Sequence, residues 1–403
     1  MRKPIIILLL LTCSLLSIAQ PNARYEQARE HAYAGRYQAA DQLLRQILAD
    51  EPEHYDALFM QAMVMAWSGE YMPALRQLNM LGSKYPLSTD VAEAISRINY
   101  WAGEYVKAQV AADKGLALFP ENLALRYLKA QALAELEHYD EAISSLQDML
   151  QLDPENQEAL ALIKKLEFLR RKNAVGLEYA HARFSNTFSP WNHFSAYYKR
   201  KLPSLLVAGR LQYASMFDQQ GIQAEVDAYP EINEKTYAYL NAGVSNATIF
   251  PAARWGAELY RELPDQWEAS AGMRGLYFKE APVHIYTAQL GHYFPAYWIS
   301  ARGFLTRLQG QQHLTGLLTA RRFLHNEDHF LSLYLGNGAT PLRVSSLVEI
   351  QRLDARWVGL DYQHPLNNRQ WIIRSAVEYQ HEAYPEIRTT DRLTFTLQVE
   401  KRF

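Results

Sequence analysis

The chain has 403 residues, enough for two domains, and its 41 Lys and Arg against 43 Asp and Glu leave a formal charge of −2, a balance that gives a nucleic-acid partner no field to bind. Its single cysteine, Cys13, lies so close to the start that disulfides and thiolate metal sites are excluded from the body of the chain. Beyond the first residues no segment approaches ~18 consecutive apolar residues, so any later membrane crossing has to be made of strands.

Arg2 and Lys3 precede an apolar run from Ile5 to Ile18, and Ser17-Ile18-Ala19 places small residues where a signal peptidase needs them. The reading is a signal peptide over 1–19 and a mature chain that begins near Gln20. A transmembrane anchor competes with it, but Thr12, Cys13, Ser14 and Ser17 break the run short of the ~20 residues a span requires. Lipidation at Cys13 is a further alternative, opposed by Thr12 at a position where Gly or Ala is usual.

Between 20 and 172 the chain repeats itself. Gly35-Arg36-Tyr37, Gly69-Glu70-Tyr71, Gly103-Glu104-Tyr105 and Glu137-His138-Tyr139 recur every 34 residues, in step with Ala40, Ala74, Ala108 and Ala142, and Pro52, Pro86, Pro120 and Pro154 close each unit. Glycine permits a tight turn between two helices, alanine lets them approach, and proline ends the second. Glu137 departs from the pattern and weakens only the fourth turn. After Pro154, Ala159, Leu160, Leu162, Ile163, Leu166 and Leu169 have the spacing of an amphipathic capping helix, with Lys164, Lys165, Arg170, Arg171 and Lys172 on or near its polar side.

This pattern resembles the tetratricopeptide repeat. The resemblance implies a concave groove lined by the first helix of each unit: Tyr25, Arg29 and Tyr33, then Phe59, Met63 and Trp67, then Arg97, Tyr100 and Trp101, and finally Tyr127 and Gln131. An aromatic ladder with interspersed arginines suits an extended peptide or a sugar chain, because flat amphipathic rings stack without demanding one orientation. The alternative is that these aromatics pack between helices as core.

From Asn173 the period changes to two and stays there to the end. Leu393, Phe395, Leu397, Val399 and Phe403 point one way while Thr394, Thr396, Gln398, Glu400 and Arg402 point the other. Segments around Leu211, Val226, Trp255 and Trp267 alternate likewise, and their polar phases carry Arg210, Glu225, Asp227, Arg254, Glu258 and Arg274; Arg374 and Glu378 continue the series near the end. One apolar face opposite a charged one fits a single closed sheet in a membrane better than a soluble sandwich. Short breaks at Leu202-Pro203-Ser204, Leu263-Pro264-Asp265, Phe294-Pro295-Ala296 and Pro365-Leu366-Asn367-Asn368 alternate with longer ones such as Ser185 to Asn192 and Gly336 to Leu342, and Trp191, Trp255, Trp267, Trp298 and Trp371 lie near segment ends, where interfacial aromatics belong.

The expected fold is a tetratricopeptide-repeat α-solenoid over 20–172, followed over 173–403 by a closed antiparallel outer-membrane β-barrel of about fourteen strands. Val344 to Tyr362 has an ambiguous phase, so about twelve strands is the alternative. The inward charges Arg210, Glu225, Asp227, Arg254, Glu258, Arg274, Arg374, Glu378 and Glu400 are of mixed sign and predict an ion-paired, closed lumen, with Arg254, Arg274 and Arg374 set against Glu258, Glu268 or Glu378.

A terminal Phe403 after an alternating strand resembles the signal read by the outer-membrane barrel assembly machinery. With the repeats, the whole mature chain resembles the YaiO-type outer-membrane β-barrel family, which carries no catalytic motif to transfer. His325-Asn326-Glu327-Asp328-His329 gathers possible metal ligands, but it reads as a solvated turn rather than a helix that would put both imidazoles on one face. No cofactor and no catalytic residue is expected. The expected partners are outer-membrane lipid, the assembly machinery and a periplasmic peptide or glycan, in export or assembly of a surface polysaccharide. An outer-membrane enzyme acting on lipid or glycan, and a scaffold without transport, are the alternatives.

Overall fold

In a computed structural model the chain is described over residues 23–185, 188–216, 218–279, 281–308, 310–338, 354–383 and 389–403, and it divides into two compact units after Arg170. Residues 1–19, read above as a signal peptide, lie outside the described residues, as do 344–353 of the segment with ambiguous phase. No helix among the described residues is long and apolar enough to cross a membrane.

The first unit is a row of helix pairs. Helix α1 covers 23–33, followed by α2 (Tyr37–Asp50), α3 (Tyr55–Trp67), α4 (Tyr71–Lys84), α5 (Thr89–Trp101), α6 (Tyr105–Leu118), α7 (Leu123–Glu135), α8 (Tyr139–Leu152) and α9 (Gln157–Leu169). The repeat sets both ends of its first helices. Two residues after each proline stands an N-cap, His54, Ser88, Asn122 or Asn156, whose side chain accepts the otherwise unpaired N–H of Ala57, Val91, Leu125 or Ala159. At the far end Gly35, Gly69 and Gly103 take φ of +73°, +89° and +74°, and the next N–H turns back to close the helix. Glu137 takes the same left-handed turn at φ +59°, so the fourth hairpin keeps its geometry at a cost of about 1 kcal/mol that glycine would not incur. Ala40, Ala74, Ala108 and Ala142 are wholly buried where helices cross.

The second unit is one sheet closed on itself. Its strands are β1 (Asn173–Phe184), β2 (Trp191–Leu202), β3 (Leu205–Met216), β4 (Gln219–Asn233), β5 (Thr236–Ser245), β6 (Ala253–Glu262), β7 (Trp267–Tyr277), β8 (Pro282–Tyr293), β9 (Tyr297–Leu308), β10 (Gln311–Phe323), β11 (Phe330–Asn337), β12 (Asp354–Leu366), β13 (Trp371–Ala383) and β14 (Thr390–Arg402). Each pairs antiparallel with its sequence neighbours, and β1 pairs with β14 from Ala174↔Arg402 to Phe184↔Arg392, giving a closed barrel of fourteen strands among the described residues. The expected alternation of short and long connections does not hold throughout: at the rim away from the termini, β3 runs to β4 through 217–218 and β9 to β10 through 309–310. Asn192 lies inside β2, and Gly336 inside β11.

The outward face is apolar and exposed at Leu211, Val226, Leu259, Leu290, Leu360 and Leu397, while the inward face buries Glu225, Asp227, Glu258, Asp361 and Glu400. This inverts a soluble barrel and matches a sheet surrounded by hydrocarbon. Of the five tryptophans expected at interfaces, Trp255, Trp267 and Trp371 take the outward phase. Trp191 and Trp298 do not; both take the inward phase, where Arg392 lies over the buried Trp191 and Arg321 over Trp298. Proximity to a strand end fixes a residue's depth but not its face.

Several aromatic rings lie flat over a glycine on the next strand. A Cβ on Gly176 would meet Tyr197 Cζ at 2.1 Å, and one on Gly359 would meet Tyr334 Cζ at 2.3 Å, each aromatic being the direct or near cross-strand partner. Around Gly209 nothing lies within 4 Å. Gly176→Ala is therefore expected to displace the Tyr197 ring and cost about 1–3 kcal/mol. Gly209→Ala should change stability by no more than about 0.5 kcal/mol. The heat-modifiable gel mobility of both variants against temperature checks this, and equal midpoints would contradict the packing described.

Candidate functional site

Each unit presents one candidate site. In the repeats, two adjoining cavities of about 650 and 550 Å³ share Tyr100, Tyr127, Gln131 and Glu158. Arg97 and Trp101 line the second, with Trp101 39 % exposed. Tyr100 donates to Glu135 at 3.2 Å, and burial together with that carboxylate pushes its phenol up to about 12. Burial, and then Glu158, raises Tyr127 as well. Both rings thus stay protonated at neutral pH and offer flat walls with a donor at the edge.

The other expected groove residues have different surroundings. Met63 is 7 % exposed and belongs to the core formed by Ala66, Leu78 and Ile98. Phe59 and Trp67 pack against that same core, and Trp67 also touches the preceding one, with Tyr33 at 5.7 Å and Tyr37 at 6.5 Å between ring centres. Tyr25 packs on the first core and stacks with His54. Tyr33 is open to solvent and Arg29 pairs with Glu26 at 2.7 Å. Equivalent sequence positions therefore differ in role: Trp67 is wedged between repeats, whereas Trp101 edges a cavity. The helix read as a cap also contributes to the groove, because Glu158, Leu162, Lys165 and Leu169 of α9 line it. Pro154-Glu155-Asn156 repeats Pro120-Glu121-Asn122 and carried that signal.

In the barrel, a cavity of about 620 Å³ is lined by Arg210, Glu225, Arg254, Arg274, Arg374 and Glu378 among others. Arg210 reaches Asp227 at 3.1 Å and Arg254 reaches Glu225 at 2.8 Å. Arg274 and Arg302 hold Glu258 at 3.4 and 2.9 Å, and Arg374 grips both oxygens of Asp361 at 2.8 and 2.7 Å. Glu400 accepts from Lys199, Tyr197 and Arg402. Only the Arg274–Glu258 pair follows the partners expected from sequence; Arg254 pairs with Glu225 and Arg374 with Asp361, while Glu268 faces Gln289. Sequence reasoning misses Arg302, Lys199 and Asp361. The phase of Arg302 against Ile299 and Ala301 is a signal that could find it, but Lys199-Arg200-Lys201 has no alternation to read. Towards the rim away from the termini the interior turns apolar, with Leu276, Ile285 and Phe304 in one cluster and Trp191, Ile249 and Phe250 in another.

The turn between β10 and β11 does not gather its ligands at one point. His325 Nδ1 and His329 Nδ1 lie 3.0 Å apart, while His329 Nε2 faces His364 Nδ1 at 3.2 Å, so the imidazoles form a chain. Asp328 turns inward to grip Arg402 at 2.8 and 2.9 Å. Among the described residues no group of three or more such side chains is placed to hold a metal ion.

Glu258 is nearly solvent-free, so removing both its cations should be costly. Arg274→Ala with Arg302→Ala is expected to lose about 3–5 kcal/mol, and adding Glu258→Gln should restore most of it. Thermal unfolding in detergent checks this, and a double variant as stable as the parent would show that Glu258 faces water.

The description "YaiO membrane beta barrel domain" matches residues 172–342, and "Tetratricopeptide repeat" matches 31–98 and 102–166. No curated protein matches the chain. Solved structures similar to this chain include a MamA protein (15 % identity, 37 % of this chain and 81 % of that one, TM-score 0.33), MamA from Desulfovibrio magneticus RS-1 (16 %, 37 % and 85 %, 0.34) and a thermophilic TPR protein of Thermus thermophilus (20 %, 37 % and 82 %, 0.32). The barrel match begins where β1 begins and stops after β11, and the three remaining strands complete the same closed sheet. The chain thus carries a YaiO membrane β-barrel domain preceded by tetratricopeptide repeats.

Proposed function

We propose that this chain is an outer-membrane anchor whose repeats capture an extended peptide or glycan partner in the periplasm, in the export or assembly of a surface polysaccharide. The observation that carries the reading is the pair of adjoining cavities that share Tyr100 and Tyr127, with Trp101 lining one of them, rings on which a chain-like ligand can stack. Support for the outer membrane comes from the apolar outward face, the signal-like N-terminus and Phe403. The backbone of Phe403 closes the barrel against Asn173 in both directions, at 2.9 and 2.8 Å, while its ring stands half exposed for assembly machinery to read. Both ends of the barrel domain lie at that rim, which in an outer membrane faces the periplasm.

The lumen favours a second reading for the barrel itself, a scaffold that passes no solute. Many of its charges are matched in pairs, and apolar clusters occupy it toward the far rim. In either reading the chain binds and anchors and is assigned no catalytic step.

A photo-crosslinking residue in place of Gln131 is expected to trap a periplasmic partner. The same probe in place of Met80, exposed on a second helix, should trap none. Equal labelling from both positions, with helical content unchanged, would contradict a groove-bound partner.

A further inference from the structure

The two faces of the barrel wall treat charge differently. Among the side chains described in the strands, every carboxylate but one takes the inward phase; the exception, Asp391, is held by Tyr379 and His381 at 2.8 Å each. Cations appear on both faces. Most of those inside find carboxylates, as Arg210, Arg254, Arg302 and Arg374 do, while Arg321 rests on Trp298 and Phe330. Those outside find none among the described residues.

The outward cations lie at the strand ends and nowhere between. Arg183, Arg307 and Arg356 stand at the rim away from the termini; Arg200, Arg261, Arg322 and Lys401 stand at the terminal rim. Three of them rest on outward aromatic rings: Arg307 over Tyr286 at 5.3 Å, Arg322 over Tyr297 at 5.8 Å and Lys401 over Trp371 at 5.3 Å. An aromatic ring held at the edge of an apolar band marks the depth of the headgroups. A cation fixed at that depth without a protein counter-ion meets the one anion that is always there, the lipid phosphate.

We propose that these cations form two collars that bind phosphate-bearing anionic lipids on the outward face of the barrel. The inference rests on the membrane-barrel reading and adds the chemistry of the lipid. Exclusion of carboxylates from the same face is what such a surface requires, since an acid there would repel the headgroup. The lumen, which meets no lipid, keeps both signs.

The test uses the full chain reconstituted in phosphatidylcholine vesicles and reads tryptophan quenching, chiefly of the outward Trp267 and Trp371, by brominated lipid. Brominated phosphatidylglycerol is expected to bind about threefold or more tightly than brominated phosphatidylcholine, with the preference falling toward equality between about 0.1 M and about 1 M salt. Replacing Arg200, Arg261, Arg322 and Lys401 by Gln should remove the preference at the terminal rim, and replacing the three arginines by Lys should keep it. Equal binding of the two lipids by the parent chain, or a preference unmoved by salt, would overturn the proposal without needing any variant. Absence of quenching by either lipid would instead overturn the membrane-barrel reading on which it rests.

Discussion

A backbone N–H or C=O that enters hydrocarbon without a partner costs several kcal/mol, so a sheet there can have no edge. In this chain the pairing of β1 with β14 removes the last one. It runs unbroken from Ala174↔Arg402 to Phe184↔Arg392, and the two backbone bonds between Asn173 and Phe403 finish the row. An even number of strands follows from bringing the two ends together antiparallel. So does the two-faced sequence: once the sheet is closed, one phase of every strand faces outward and the other must fill the inside.

Filling that inside with charge is tolerable because the most deeply buried carboxylates meet cations. Glu225, Glu258 and Asp361 are buried, and each is held by arginines at hydrogen-bonding distance. Pairing of this kind contributes little net stability, yet it makes each partner indispensable to the other. The same logic governs the repeats in weaker form, where each helix end is completed by a cap or a left-handed turn supplied every 34 residues. In both units a periodic sequence satisfies a periodic backbone.

Period was therefore what the sequence conveyed best. The 34-residue spacing located the helix pairs, and alternation located the strands, because each reflects which face of an element is covered. Partners were harder to read. Arg254 pairs with Glu225 rather than with Glu258 because β4 lies two strands away from it, a neighbour that alternation does not reveal. Trp67 and Trp101 hold equivalent positions but differ in exposure, since what covers a ring depends on the repeat it packs against: Trp67 lies against Tyr33 and Tyr37 of the preceding one. Trp191 and Trp298 lie on the inner face against expectation for a related reason: nearness to a strand end says nothing about phase. Ile249 and Phe250 of one apolar cluster inside the barrel gave no periodic signal, as they come from a connection rather than a strand.

The central claim is that the second half of the chain is one closed wall with lipid outside and a charged interior. Since Cys13 is the only cysteine, single cysteines can be placed along β14 on a Cys13→Ser background and spin-labelled without interference. Labels at 393, 395, 397 and 399 should be relaxed by oxygen dissolved in the bilayer, and labels at 394, 396 and 398 should not, so that accessibility alternates with a period of two. A uniform response along β14, or one in which the two sets exchange places, would contradict the account.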